Sequence, residues 1–265
     1  MICAVQTPAE KERFLAALAG RTDPVAVELH ARFLAFWGLA GSGWGFFCAG
    51  GAERPLALAV RGGTAQMAGG AGGQELALLL QFMGADRLKS ADPAPPEGWA
   101  EHARFETFYA PPGGVACREL PAGFALDPAP GMMEVTGLLG GNEACSGFAS
   151  RQAADDFYAE SCAMRNRGLA QVWALRRGER LAATAGAYAI AGGGALLAAV
   201  ETDPAFRRQG CAGALVCALA RDLCAKGYTV SLVARPGVEG FYEQLGFVRR
   251  GKAYRFCPAD AGTQE

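Results

Sequence analysis

Hydrophobic and polar positions along this chain change period repeatedly, and they do so in two long passages of similar order. In the first passage, residues 1–5 form a short apolar run of strand character. Thr7-Pro8-Ala9-Glu10 follows with a cap hydroxyl, a proline at the first helical position and a glutamate at the third, which predicts a helix over about 8–19. Asp23-Pro24 repeats the start signal, and Val27, His30, Phe33, Leu34 and Trp37 recur at helical spacing as one apolar face. His30 on that face reads as a packed core or boundary histidine. Residues 44–48, 56–60 and 64–67 read as short strands, the last two joined as a hairpin across Arg61-Gly62-Gly63, and 74–83 as a helix. Extended segments follow near 87–89 and 104–109, and the Pro/Gly-spaced stretch from Ala110 to Gly131 reads as a linker.

The second passage starts with a predicted strand at 132–136 and a helical region ending with 150–166, ahead of Gly168 at a C-terminal cap position. Strands are expected at 170–175 and 181–190 around Arg177-Gly178-Glu179, then a continuous apolar strand at 195–202. A helix over 213–225 stops at Lys226-Gly227, a β-branched strand covers 229–234, and a short helix at 238–245 ends on Gly246. Residues 247–249 and 253–256 complete the sheet as a hairpin around Gly251. The expected fold class is α/β with a mixed sheet. Matching element order in the two passages points to a structural duplication; an unrelated α+β accessory domain in the first half is an equally simple account.

One stretch carries chemistry. Glu201 to Leu215 reads as a strand end, a turn at Asp203-Pro204, a basic loop, and small residues opening a helix. Gly210, Cys211, Ala212 and Gly213 leave the backbone N–H groups of the helix start uncovered beside Arg207 and Arg208, which describes an anion site. The competing reading is a closely packed helix start. In the first passage the corresponding turn, Ala68 to Glu75, is glycine-rich but puts Glu75 early in the helix, where a carboxylate competes with an anion for the same dipole.

Composition narrows the partners. The 265 residues are 51% hydrophobic with a formal net charge of −1 and suit two domains, expected at 1–125 and 126–265. Lys and Arg number 10 against 13 Asp and Glu over residues 1–127, and 15 against 13 over 128–265, so neither half has the basic excess that nucleic-acid binding requires. Nine cysteines without a Cys-x-x-Cys pair, and two histidines, His30 and His102, argue against a disulfide framework and against a metal site. With no long apolar run, the expectation is a cytoplasmic protein, monomer or homodimer, that binds no membrane.

Arg207-x-x-Gly210-x-Ala212, set between a buried strand and a helix, is followed one strand later by Phe241-Tyr242-Glu243-Gln244-Leu245-Gly246-Phe247. In these two motifs, over roughly residues 131–257, the sequence resembles the GNAT superfamily of acyl-CoA-dependent N-acyltransferases. The resemblance implies a GNAT-like fold in the second half and a degenerate, cofactor-free copy in the first. It implies that Arg207, Arg208, Gln209, Gly210, Cys211, Ala212 and Gly213 hold the pyrophosphate of acetyl-CoA, a co-substrate. It also implies a bulge in the preceding strand that frees backbone N–H groups near Val200 and Thr202 for the pantetheine arm and thioester carbonyl.

Tyr242 matches the family's tyrosine near the cofactor sulfur, a general acid for the departing thiolate; the alternative is a half-buried packing tyrosine. Glu201 is the candidate base, or equally a solvated or salt-bridged carboxylate. Cys211, a thiol at a helix start, is open to a lowered pKa. The implied function is acetyl transfer from acetyl-CoA to a primary amine of a small molecule or peptide by direct attack. The alternative is a catalytically inactive acyl-CoA-binding sensor or scaffold. A dinucleotide-binding reading fails because Gly-x-Gly-x-x-Gly is missing at the strand-to-helix junction.

Overall fold

Local signals set the first helices. In a computed structural model, which describes residues 1–49, 55–70, 73–116, 118–141 and 150–259, the Thr7 hydroxyl accepts from the Glu10 amide and Glu10 accepts from the Thr7 amide. Helix α1 (Pro8–Leu18) therefore begins where its capping box predicts. Asp23 caps α2 (Pro24–Phe36) by accepting from the Ala26 amide at 3.0 Å. Residues 142–149 of the predicted helical region, and Ala71 and Gly72 of the glycine-rich turn, lie outside the described residues.

The first half continues with β1 (Ile2–Ala4), β2 (Gly45–Ala49), β3 (Leu56–Arg61), β4 (Thr64–Gly69), α3 (Gln74–Phe82), β5 (Arg87–Ser90) and β6 (Trp99–Tyr109). The second has β7 (Ala125–Asp127), α4 (Met132–Gly140), α5 (Arg151–Asn166), β8 (Gln171–Arg177), β9 (Arg180–Ala191) and β10 (Gly194–Thr202). A one-turn 3-10 segment (Pro204–Phe206), α6 (Cys211–Ala225), β11 (Thr229–Val233), α7 (Glu239–Gln244) and β12 (Val248–Pro258) complete it.

The twelve strands of the described residues form one mixed sheet, ordered β1-β2-β3-β4-β5-β12-β6-β11-β10-β9-β8-β7. Each half runs antiparallel through four strands and then adds a parallel one, β5 beside β4 and β11 beside β10. At the centre the halves exchange strands: β12 pairs with β5, β6 pairs with β11, and β6 and β12 pair with each other. Helices α1, α2 and α5 cover one face, where Phe14, Phe33 and Leu29 share a core with Met164 and Leu196. On the opposite face α3 packs over Leu58, Met67 and Phe256, and α6 over Leu197, Val230 and Leu232. No helix among the described residues is long and apolar enough to cross a membrane.

Two predicted elements are corrected. Residues 132–136 open helix α4, because Met132, Val135 and Leu139 are buried at helical spacing; the first strand of this half is β7, inside the presumed linker. Residues 247–256 do not form a hairpin around Gly251. Residues 248–256 belong to the single strand β12, since β6 runs beside it and a register shift between Arg249 and Lys252 absorbs the glycine.

Candidate active site

The centre of interest is where β10 parts from β11. The two are paired in parallel from Gly194↔Thr229 to Leu197↔Leu232, and beyond that rung β11 keeps only β6 as a neighbour, through Val233↔Thr107. On its other side β10 carries one extra residue between the rungs Ala198↔Gly186 and Glu201↔Thr184. Ala199 lies in this bulge at φ 50°, a left-handed conformation costing an alanine about 1–2 kcal/mol. Val200, half-buried, lies there too.

The loop after β10 is held from behind. Glu201 is 7% exposed; its Oε1 accepts from the Thr202 amide at 3.0 Å and from Arg207 Nη2 at 3.2 Å. Arg207 Nε also donates to the Thr202 carbonyl at 3.2 Å, so this guanidinium folds back against the strand end. Arg208 at φ 61° and Gly210 at φ 82° bring the chain round to the start of α6. Gln209 is exposed and donates to the Ala205 carbonyl at 3.3 Å. At Gly210 the space is open, the nearest atom to an added Cβ being Pro121 Cγ at 3.9 Å. At Gly213 an added Cβ would meet Leu245 Cδ2 at 3.3 Å and Arg118 Cδ at 3.5 Å, so there the missing side chain serves packing. Ala212 is half-buried. Cys211 is buried, and that burial pushes its thiol pKa up despite Arg177, opposite to the expected lowering.

Tyr242, on α7, is partly buried with its ring 6.1 Å from Phe108, 5.1 Å from Phe241 and 6.1 Å from Phe247. Phe108 pairs with Leu232, so Tyr242 stands beside the last rung before the split. Burial raises its phenol pKa, Arg235 opposing in part.

Sequence reasoning missed two groups. Arg118 and Pro121 lie in the stretch read as a linker, yet they lie against the start of α6, Arg118 also donating to the Gln244 carbonyl at 3.4 Å. Nothing in the sequence ties them to residues so far along the chain. The other group lies on the opposite face. Glu28, one turn before Arg32, binds it at 2.9 Å and also binds Lys89, and Arg32 binds Glu160 at 2.7 Å. Arg61 joins Glu160 to Asp156. Only the i,i+4 spacing of Glu28 and Arg32 is visible in the sequence. Burial would raise the Glu28 carboxyl pKa, but Arg32 and Lys89 outweigh it and bring it to about 2. No group of three or more His, Cys, Asp or Glu that could hold a metal ion occurs among the described residues.

Comparison with known proteins supplies the wider setting. Residues 172–256 match the family described as FR47-like protein. A search of curated proteins gives no match. Among solved structures, a tandem GNAT protein from the clavulanic acid biosynthesis pathway is 14% identical with a TM-score of 0.62, over 100% of this chain and 99% of that one. A putative GNAT acetyltransferase from Novosphingobium aromaticivorans is 25% identical with a TM-score of 0.52, over 79% of this chain and 90% of that one. A GCN5-related N-acetyltransferase from Kribbella flavida is 18% identical with a TM-score of 0.57, over 86% and 95%. The chain thus has the tandem GNAT acetyltransferase fold, and its residues 172–256 carry the FR47-like pattern within it.

Proposed function

We propose that this chain is an N-acetyltransferase that moves an acetyl group from acetyl-CoA to a primary amine by direct attack. One juxtaposition carries the reading: β10 leaves β11 at a bulge, directly ahead of a left-handed loop and the start of α6, with Tyr242 beside the last shared rung. Open space at Gly210, with the amides of Cys211, Ala212 and Gly213 at the helix start and exposed Arg208 and Gln209 alongside, fits a pyrophosphate. Acetyl-CoA supplies the activated acyl carbon. Backbone donors around Val200 serve its carbonyl, whose oxygen gains negative charge under attack. Tyr242 gives its proton to the departing thiolate and regains one from solvent, into which the attacking amine releases its own. Glu201 acts as a positioning residue, fixing Arg207 and the Thr202 amide.

A protein of this kind is stabilised by its co-substrate through mass action, by about 2.7 kcal/mol at a hundredfold excess over Kd. The expected result is a rise in Tm with acetyl-CoA and thiol release that depends on an added amine. Absence of both effects at millimolar acetyl-CoA would overturn the proposal. A second reading, an inactive acyl-CoA-binding sensor or scaffold, draws on the Thr202 amide and Arg207 already being engaged. Binding of acetyl-CoA with no turnover across the amine panel would select it.

A further inference from the structure

The split between β10 and β11 opens on two cavities. Ala198, the first residue past the last shared rung on β10, lines one of about 190 Å³ together with Glu28, Arg32, Glu160 and Tyr188. Val233, the first past that rung on β11, lines another of about 190 Å³ with Lys89, Arg235 and Arg255. The Glu28–Lys89 ion pair joins a residue of one wall to a residue of the other, so the two cavities adjoin.

Their charges are sorted. The first wall has the carboxylates of Glu28 and Glu160 with Arg32 between them, and Lys89 and Arg61 also bind these carboxylates from outside it; the second has Arg235 and Arg255 besides Lys89, and no carboxylate. Phe105 and Tyr254 line the second as well, and the Arg255 guanidinium stacks 5.2 Å from the Phe105 ring. In the first, the Tyr188 hydroxyl is shielded from solvent and has no hydrogen-bond partner among the described residues, while the nearby Thr184 donates to the Trp173 carbonyl. A low-dielectric recess lined this way favours a cation at one end and an anion at the other. A simple amine would use only the first wall.

We propose that the acceptor is an amine carrying its own anionic group, a carboxylate or a phosphate ester, with the ammonium end beside Ala198 and the anion among Lys89, Arg235 and Arg255. The inference rests on the transferase reading for the reaction, but the binding it describes can be measured apart from transfer. The test uses the full chain and two matched pairs, L-leucine with isopentylamine and phosphoethanolamine with ethanolamine. Calorimetry without acetyl-CoA gives Kd, and thiol release with it gives kcat/KM.

At least one anionic member is expected to bind and react about tenfold better than its partner, the scale of a charge-assisted hydrogen bond. The pair that discriminates tells carboxylate from phosphate. Arg255→Gln, and independently Lys89→Gln, should shrink that ratio to about threefold or less. Arg87→Gln, an exposed arginine on the same strand as Lys89, should preserve it. An acetyl-CoA-induced rise in Tm checks that each variant is folded. Equal constants within both pairs, or a preference that neither variant reduces, would overturn the proposal. Binding of the anionic amine without any thiol release would sink the transferase reading alone; thiol release that is equal within both pairs would sink this one alone.

Discussion

Tyr242 keeps its proton into the alkaline range, because burial beside Phe108 and Phe247 disfavours the phenolate more than Arg235 favours it. A raised pKa on a group that must donate means that activity persists as pH rises and falls only above the ordinary phenol value of about 10. Tyr242→Phe should lower kcat about 100-fold while leaving the KM for acetyl-CoA nearly constant, and should abolish that alkaline limb; steady-state rates across pH measure both. Glu28 makes the opposite case. Its folded pKa of about 2 lies below the usual carboxylate value, so its contribution is fully present above the unfolded pKa and fades as pH falls toward 2. Up to about 3 kcal/mol of stability should be lost across that acid window, and denaturant titrations of Glu28→Gln should show a flatter acid limb.

Among the elements, α2 is the one on which the acceptor face depends, since it belongs to the first half yet lies against β9 and β10. Gly194 makes that approach possible: a Cβ there would lie 2.3 Å from Val27 Cγ2. Gly194→Ala should therefore cost about 1–3 kcal/mol, and the double variant with Val27→Ala should fall short of the summed losses, as urea unfolding would measure. Helix starts were legible because Thr7, Glu10, Asp23 and Ser150 act within a few residues of themselves. The 132–136 run was not, since a short apolar segment has no period that separates strand from helix. The β10 bulge was accessible only through family resemblance; no residue type announces it, and Ala199 is an unremarkable letter for a left-handed position.

For the whole molecule, the exchange of β6 and β12 means that neither half owns a complete sheet. A chain ending before Val248 should lose more than its terminal strand. Amide-exchange protection within Arg87–Ser90, in the opposite half, should fall with it, β4 being the remaining partner strand, while a chain shortened only after Ala259 should keep it. None of this was legible, because strand partners are non-local: Tyr254 pairs with Ser90, and Ser231 with Tyr109. The long-range ion pairs of the acceptor face were hidden for the same reason, while the local Arg207–Ala212 and Phe241–Phe247 motifs stood out in the sequence. Strand exchange also sets an order of events at the ribosome. The first half is made first, but the strand that closes its edge at β5 follows only after residues 91–247 have been made, so β5 must wait for the whole of that stretch. Throughout that wait the nascent chain offers an open sheet edge to any neighbouring copy or chaperone, and a late-made strand closes an early-made sheet.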